Sequence, residues 1–191
     1  MERDAMSHAP PHSEVMQPSA WILRWAHLIP SGGRVLDLAT GSGRNARHLA
    51  GLGYDVEAVD RDAETLALLR GISNINARVA DLEQGDWPYA SEEFGGIVVT
   101  NYLYRPLFPA LLAALAHSGM LIYETFSLGN ENFGKPSNPD FLLRTGELLE
   151  VVRGKLRVIA YEDVFEGGPR PAMMQRICAV RPAADPVDER R

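Results

Sequence analysis

Two hydrophobic periodicities alternate along the chain. The first is helical: Trp21, Ile22, Trp25 and Leu28 recur on one face of a short helix that opens at Ser19 and stops at Pro30. Gly32-Gly33 then turns the chain into Arg34–Leu38, an apolar run of the kind that forms a buried strand. The alternation continues with helix over 45–52, strand over 55–60, helix over 63–69 and strand over 75–80. Residues 94–100, carrying Ile97-Val98-Val99, are the most β-rich segment. Helix follows over 106–116, with proline in its first turn, then strand over 119–126 and helix over 145–152. Strands over 156–165 and 173–180 close the pattern, joined through Gly167-Gly168-Pro169 without a helix, so they pair antiparallel. Strands alternating with helices predict an α/β fold. The expected architecture is a doubly wound, mostly parallel seven-stranded sheet with helices on both faces and an antiparallel last strand.

The ends of the chain break the pattern. Residues 1–18 hold His8, Pro10, Pro11, His12 and Pro18 without periodicity and read as a flexible leader. Residues 183–191 are rich in proline and charge and read as a flexible tail, leaving 19–182 as one domain. Composition narrows the class. The chain has 191 residues, 46% of them hydrophobic, which suits one globular core and excludes a fibrous or fully disordered chain. A formal charge of −6 argues against a broad basic face for nucleic acid. One cysteine, Cys178, can build neither a disulfide framework nor a cysteine-based zinc site; flanked by Ile177 and Ala179, it reads as buried apolar filler in a reducing compartment. The longest aliphatic run, residues 110–116, is too short to span a bilayer, and the polar first residues lack the apolar core of a signal peptide. The expectation is a cytoplasmic protein, monomeric or homodimeric, with no membrane partner and no resident metal.

In an open α/β sheet, ligands bind at the carboxyl ends of the strands, where strand order reverses. The first strand and its turn read Val35-Leu36-Asp37-Leu38-Ala39-Thr40-Gly41-Ser42-Gly43-Arg44-Asn45-Ala46. Gly41 and Gly43 let backbone approach a ligand, and the following helix start presents unpaired N–H groups. That glycine spacing, with Asp60 about 20 residues on, also fits a dinucleotide fingerprint and a nicotinamide-dependent oxidoreductase. Asp37 separates the two. Beside a pyrophosphate it adds like-charge repulsion; beside a sulfonium or ammonium it attracts and accepts a hydrogen bond. Asp60 ends the second strand, where a carboxylate can accept from both ribose hydroxyls. Asp81 follows the third, placed to take an adenine amino proton while Leu82 packs on the ring. S-adenosylmethionine fits these three acids better than NAD.

On these residues the chain resembles a class I S-adenosylmethionine-dependent methyltransferase over about residues 19–182. The run Val35 to Gly43 is similar to the family's first motif, with Ala39 and Thr40 where glycine and cysteine are usual. Gly43-Arg44-Asn45-Ala46 resembles the small tellurite-resistance-like (TehB-like) branch. The resemblance implies S-adenosyl-L-methionine as cofactor, with the backbone around Gly41 and Gly43 at its methionine end. It extends the binding set to Asp37, Ala39, Thr40, Gly41, Gly43, Arg44, Asn45, Asp60, Arg61, Asp81, Leu82 and Asn101.

The acceptor side is less marked. Thr100-Asn101-Tyr102-Leu103-Tyr104-Arg105-Pro106 stands where nucleic-acid amino methyltransferases of this fold carry an Asn/Asp-Pro-Pro-Tyr type motif, so that substrate class loses support. Tyr102 or Tyr104 is a candidate wall for a sulfonium, and Arg105 a candidate clamp for an anionic acceptor, against core packing and surface charge as the plain alternatives. Glu124 is a candidate general base or orienting group, or else a structural carboxylate holding the loop after it through backbone N–H bonds. That polar segment, 127–140, has the length and position of a lid. Methyl transfer from an activated sulfonium needs alignment more than a base, so a catalytic triad is not sought. His48 reads as a helix-surface residue, His27 and His117 stand alone, and His8 and His12 have no rigid scaffold. Trp21 and Trp25 read as pins for the first helix. The leading expectation is a methyltransferase for a small molecule or an inorganic oxyanion. An RNA methyltransferase of the same fold, a non-catalytic cofactor-binding module and an NAD-dependent oxidoreductase remain as alternatives.

Overall fold

Residues 17–89 and 94–183 are described here from a computed structural model. Most of the leader and tail, His8 and His12 included, lie outside them.

The strands are β1 (Arg34–Leu38), β2 (Asp55–Asp60), β3 (Ile75–Val79), β4 (Phe94–Thr100), β5 (Leu115–Phe126), β6 (Arg157–Glu166) and β7 (Ala172–Val180). They form one sheet in the order β3-β2-β1-β4-β5-β7-β6. The first five pair in parallel, and β7 runs antiparallel between β5 and β6, as the missing helix at Gly167-Gly168 requires. Strand order reverses between β1 and β4, which opens a crevice above their carboxyl ends.

Period-two alternation divides the core between the two faces. Leu36, Leu38, Ile97, Val99, Leu121, Tyr123 and Ile177 pack on one face under α4 (Phe108–Ala114) and α5 (Glu147–Val152). Val35, Val56, Ala58, Val98, Met120, Ile122 and Cys178 pack on the other, under α1 (Ala20–Trp25), α2 (Arg44–Gly51) and α3 (Ala63–Ala67). Ser19 caps α1, its hydroxyl accepting from Trp21 N at 3.1 Å and Ile22 N at 3.3 Å. The buried Trp21 indole donates to Ile177 O at 3.1 Å and pins that helix to β7.

Sequence periodicity overran two helices. The helix expected over 106–116 is a 3-10 turn at Arg105–Leu107 followed by α4, which ends at Ala114. Leu115 already pairs with Phe94, and the register then jumps to Gly96 opposite Met120. Gly119 permits this bulge, because a Cβ there would meet Ala116 O at 2.8 Å and Phe94 O at 3.0 Å. The helix expected over 63–69 ends at Ala67, and Leu69 turns into the core instead.

Candidate active site

The turn after β1 holds three residues with left-handed backbone: Ala39 at φ 54°, Gly41 at φ 54° and Gly43 at φ 75°. Gly43 has no substitute, since a Cβ there would meet Leu69 Cδ2 at 2.3 Å. Ala39 carries the strain that a glycine avoids. Ala39→Gly is therefore expected to raise stability by about 0.5–1 kcal/mol, read from the denaturant midpoint, despite glycine's larger unfolded-state entropy.

Asp37 lies beneath this turn, 1% exposed. Thr40 Oγ1 donates to its Oδ2 at 2.5 Å. Burial pushes its pKa up to about 7, against the pull of the Thr40 hydroxyl, the Ala46 N–H and the Arg44 charge. Asp60 Oδ2 accepts from Gly41 N at 2.8 Å and its Oδ1 from Asp62 N at 3.0 Å, so the second strand end is tied to the glycine turn. Asp81 folds its own turn, Oδ1 accepting from Glu83 N at 2.9 Å.

A cavity of about 290 Å³ opens above the ends of β1 to β4. Ala39, Asp60, Arg61, Asp81, Leu82 and Asn101, all in the expected cofactor set, line it. Tyr102, expected on the acceptor side, also lines it, together with Ala80 and Glu83, which sequence reasoning missed. Their position immediately either side of the singled-out Asp81-Leu82 pair was the available signal. Burial first, then the neighbouring Glu83 carboxylate through its charge and a hydrogen-bonding contact, and then the Asp81 charge, push the Tyr102 hydroxyl well above the ordinary phenol range.

Other expected residues are engaged elsewhere. Asn45 is 1% exposed and accepts from Ser19 N at 3.0 Å while donating to Thr100 Oγ1 at 3.0 Å; it ties α1, α2 and β4 together and does not line the cavity. Arg44 Nη1 reaches back to Gln17 O at 3.3 Å. Tyr104 lines neither this cavity nor the one beside it, its hydroxyl donating to Glu83 O at 3.1 Å. Glu124 does not act as a free base: it is buried and accepts from Arg176 Nε at 2.9 Å, its register partner on β7. Cys178 is fully buried, and burial pushes its thiol up to about 12.

Arg105 is a clamp, though not for a ligand. Nε and Nη2 donate to Glu147 Oε1 and Oε2 at 2.7 and 2.9 Å, Nη1 to Asp140 O at 2.6 Å, and Nη2 also to Leu142 O at 2.8 Å. It fastens the segment read as a lid to α5. Leu142 and Leu143 are fully buried beside it, and Leu143 N donates to Phe126 O at 3.0 Å. Arg105→Ala is expected to cost about 2 kcal/mol, because the Glu147 carboxylate and two carbonyls lose a donor together. It should leave cofactor affinity unchanged, since no Arg105 atom lines the 290 Å³ cavity. Thermal melts with and without ligand check both halves.

Similarity to known proteins agrees with this geometry. The family model of the tellurite resistance protein TehB matches residues 5–110. A protein-L-isoaspartate O-methyltransferase of Chlorobaculum tepidum is 34% identical over 108 residues, 54% of this chain and 49% of that protein. The chain thus spans about half the length of the curated relative it matches. The crystal structure of TehB from Haemophilus influenzae superposes with a TM-score of 0.73 at 20% identity, covering 86% of this chain and 62% of that one. A TehB-like S-adenosylmethionine-dependent methyltransferase from Corynebacterium glutamicum gives 0.62 at 19% identity, covering 84% and 86%. These two structural likenesses show the shared fold. The family match covers more than half of the chain and includes the whole glycine turn and the strand-end acids, and by it the chain belongs to the TehB family.

Proposed function

We propose that this protein is an S-adenosylmethionine-dependent methyltransferase acting on a small molecule in the cytoplasm, as a monomer or homodimer. One observation carries the reading. Asp60 and Asp81, beyond the ends of β2 and β3, line a cavity that Ala39 of the glycine turn also lines, and a third carboxylate, Asp37 of the adjacent β1, is buried beneath that turn. This donor set fits a ligand that is cationic at one end and offers ribose hydroxyls and an amino group along its length. Asp60 would hold the ribose, Asp81 the adenine amino group with Leu82 on the ring, and the turn from Ala39 to Gly43 the methionine end. S-adenosylmethionine supplies an activated methyl group on a sulfonium. The chain's part is to bind, exclude water and align the nucleophile in line, which is where most of the rate can come from.

The alternatives fit less well. A dinucleotide places its pyrophosphate on the N–H groups of such a turn. Here Asp60 already accepts from Gly41 N, and Asp37 lies below. An RNA substrate calls for a basic approach, and the cavity has one cation, Arg61, among three carboxylates.

Melting curves with S-adenosylhomocysteine, S-adenosylmethionine and NAD added separately test the proposal. A ligand at about 100 times its dissociation constant adds ~2.7 kcal/mol, or roughly 5–10 °C for a domain of this size. The expected result is a shift with the two sulfur nucleosides and none with NAD. A shift with NAD alone overturns the cofactor assignment, and no shift at all removes the enzyme reading.

A further inference from the structure

A second cavity, about 230 Å³, adjoins the first and shares Glu83, Asn101 and Tyr102 with it. From these the geometry points to the acceptor: we propose that this second cavity seats a small amine with an apolar body, held by Glu83, and not an oxyanion. The proposal rests on the methyltransferase reading, because the shared wall is what puts an occupant beside the methyl donor.

Charge decides the class. Among the residues lining the second cavity, Glu83 is the one acidic side chain, and no lysine, arginine or histidine is present. Arg105, the cation that sequence offers for an anionic acceptor, has its guanidinium committed to Glu147 and two carbonyls. Arg61 lines the first cavity and not the second. Lys135 and Arg170 line a third space of about 330 Å³ around Phe133, which meets the second cavity at Phe126 but adds no cation to its lining. An oxyanion would enter beside Glu83 with no cation in the same lining to neutralise it. An ammonium gains the charge-assisted bond that the oxyanion lacks.

Shape agrees. Leu103, Phe126, Pro136 and Phe141 form apolar walls, and Phe141, half exposed, stands where solvent can enter. A space below the ~300–1,000 Å³ usual for drug-sized ligands suits a compact body such as an arylalkylamine. The Tyr102 hydroxyl, buried and set against the Glu83 carboxylate, is on the shared wall where a nitrogen lone pair or N–H would come within reach. The step balances without further reagents. The bound ammonium first gives one proton to the Glu83 carboxylate and so to water. The freed nitrogen lone pair then forms the N–C bond, the C–S bond breaks, and its electron pair leaves with sulfur as a neutral thioether. The methylated nitrogen ends as an ammonium.

The test uses the full chain with S-adenosylmethionine and two probe amines, benzylamine and 2-phenylethylamine, against tellurite and selenite. Cofactor binding is measured separately by calorimetry with S-adenosylhomocysteine. Expected are S-adenosylhomocysteine release and a singly methylated amine by mass, with neither oxyanion turned over. Glu83→Gln should raise the amine KM roughly tenfold or more, the loss of one charge-assisted bond. Phe141→Ala, at an exposed wall belonging to the second cavity alone, should raise that KM while leaving S-adenosylhomocysteine affinity unchanged. Cofactor binding with oxyanion turnover, or with neither amine methylated, overturns the amine seat and leaves the cofactor reading standing. Amine turnover that ignores both substitutions overturns the placement. Failure to bind S-adenosylhomocysteine strikes the underlying function instead.

Discussion

Asp37→Asn is expected to make the unliganded protein more stable and its cofactor binding weaker. The carboxyl is 1% exposed, and burial holds its pKa up at about 7. The folded state therefore keeps a proton that the unfolded chain releases near pH 4. Stability falls as pH rises through the window from about 4 to about 7, and is flat above it. A neutral side chain of the same shape escapes that cost. Near pH 7.5 Asp37→Asn should gain roughly 1–3 kcal/mol, less than the full linkage because the new amide also needs a partner. The gain should vanish by about pH 4, where Asp37 itself is neutral. Affinity for S-adenosylmethionine should drop about tenfold or more over the same neutral range, the loss of a charge-assisted bond to a cationic ligand. Urea melts from pH 4 to pH 8 with calorimetry at pH 7.5 check this. A variant less stable than wild type at pH 7.5 shows that the carboxylate stabilises the fold; unchanged affinity removes Asp37 from the site.

The opposite sign is expected at Glu57. This carboxylate has no exposed surface, yet three donors converge on it: Arg34 Nη2 at 2.7 Å, Arg78 Nε at 2.6 Å and the Tyr89 hydroxyl at 3.1 Å, with the Asn76 amide as a fourth. Burial works to raise its pKa, and the hydrogen bonds from Arg78, Asn76 and Tyr89 outweigh burial, leaving it below the ordinary glutamate value. A lowered acid stabilises above its unfolded pKa and loses that contribution as pH falls below about 4.5. Glu57→Ala should cost about 3–5 kcal/mol at pH 7, since two guanidinium groups lose their shared partner at once. Tyr89→Phe, which removes one donor and leaves the ion pairs, should cost about 1 kcal/mol. Two chemical denaturation curves at pH 7 decide it, and a Glu57→Ala loss no larger than that of Tyr89→Phe sinks the account. The two carboxylates lie on adjacent strands, β1 and β2, and differ because one accepts from two arginines and the other from a hydroxyl and a backbone N–H.

That difference marks where sequence reading stops. Strand and helix periodicity, the antiparallel final pair and the glycine turn were legible in the chain, because each depends on residues within one or two turns of each other. The acids at Asp37, Asp60 and Asp81 were legible as strand-end residues for the same reason, each lying within two residues of the end of a parallel strand. The helix over 106–116 was overrun because an apolar alanine-leucine run suits helix and buried strand alike. Only the bulge that pairs Leu115 with Phe94 selects between them.

What only the tertiary structure decided is which polar side chains already have partners. Arg105 and Glu147 are 42 residues apart, Glu124 and Arg176 are 52, and Asn45 joins Ser19 to Thr100 across 26 and 55. Each looked available as a ligand contact in the chain. Strand register and helix placement bring each pair within 3 Å, and a buried charge so placed cannot stay unpaired without a cost of several kcal/mol. The sequence by itself therefore determined the fold class and pointed to the strand ends that line the first cavity, which are built from local patterning. The packing decided which polar groups remain at the cavities, by pairing Arg105 and Glu124 elsewhere and leaving Glu83 and Tyr102 at the shared wall.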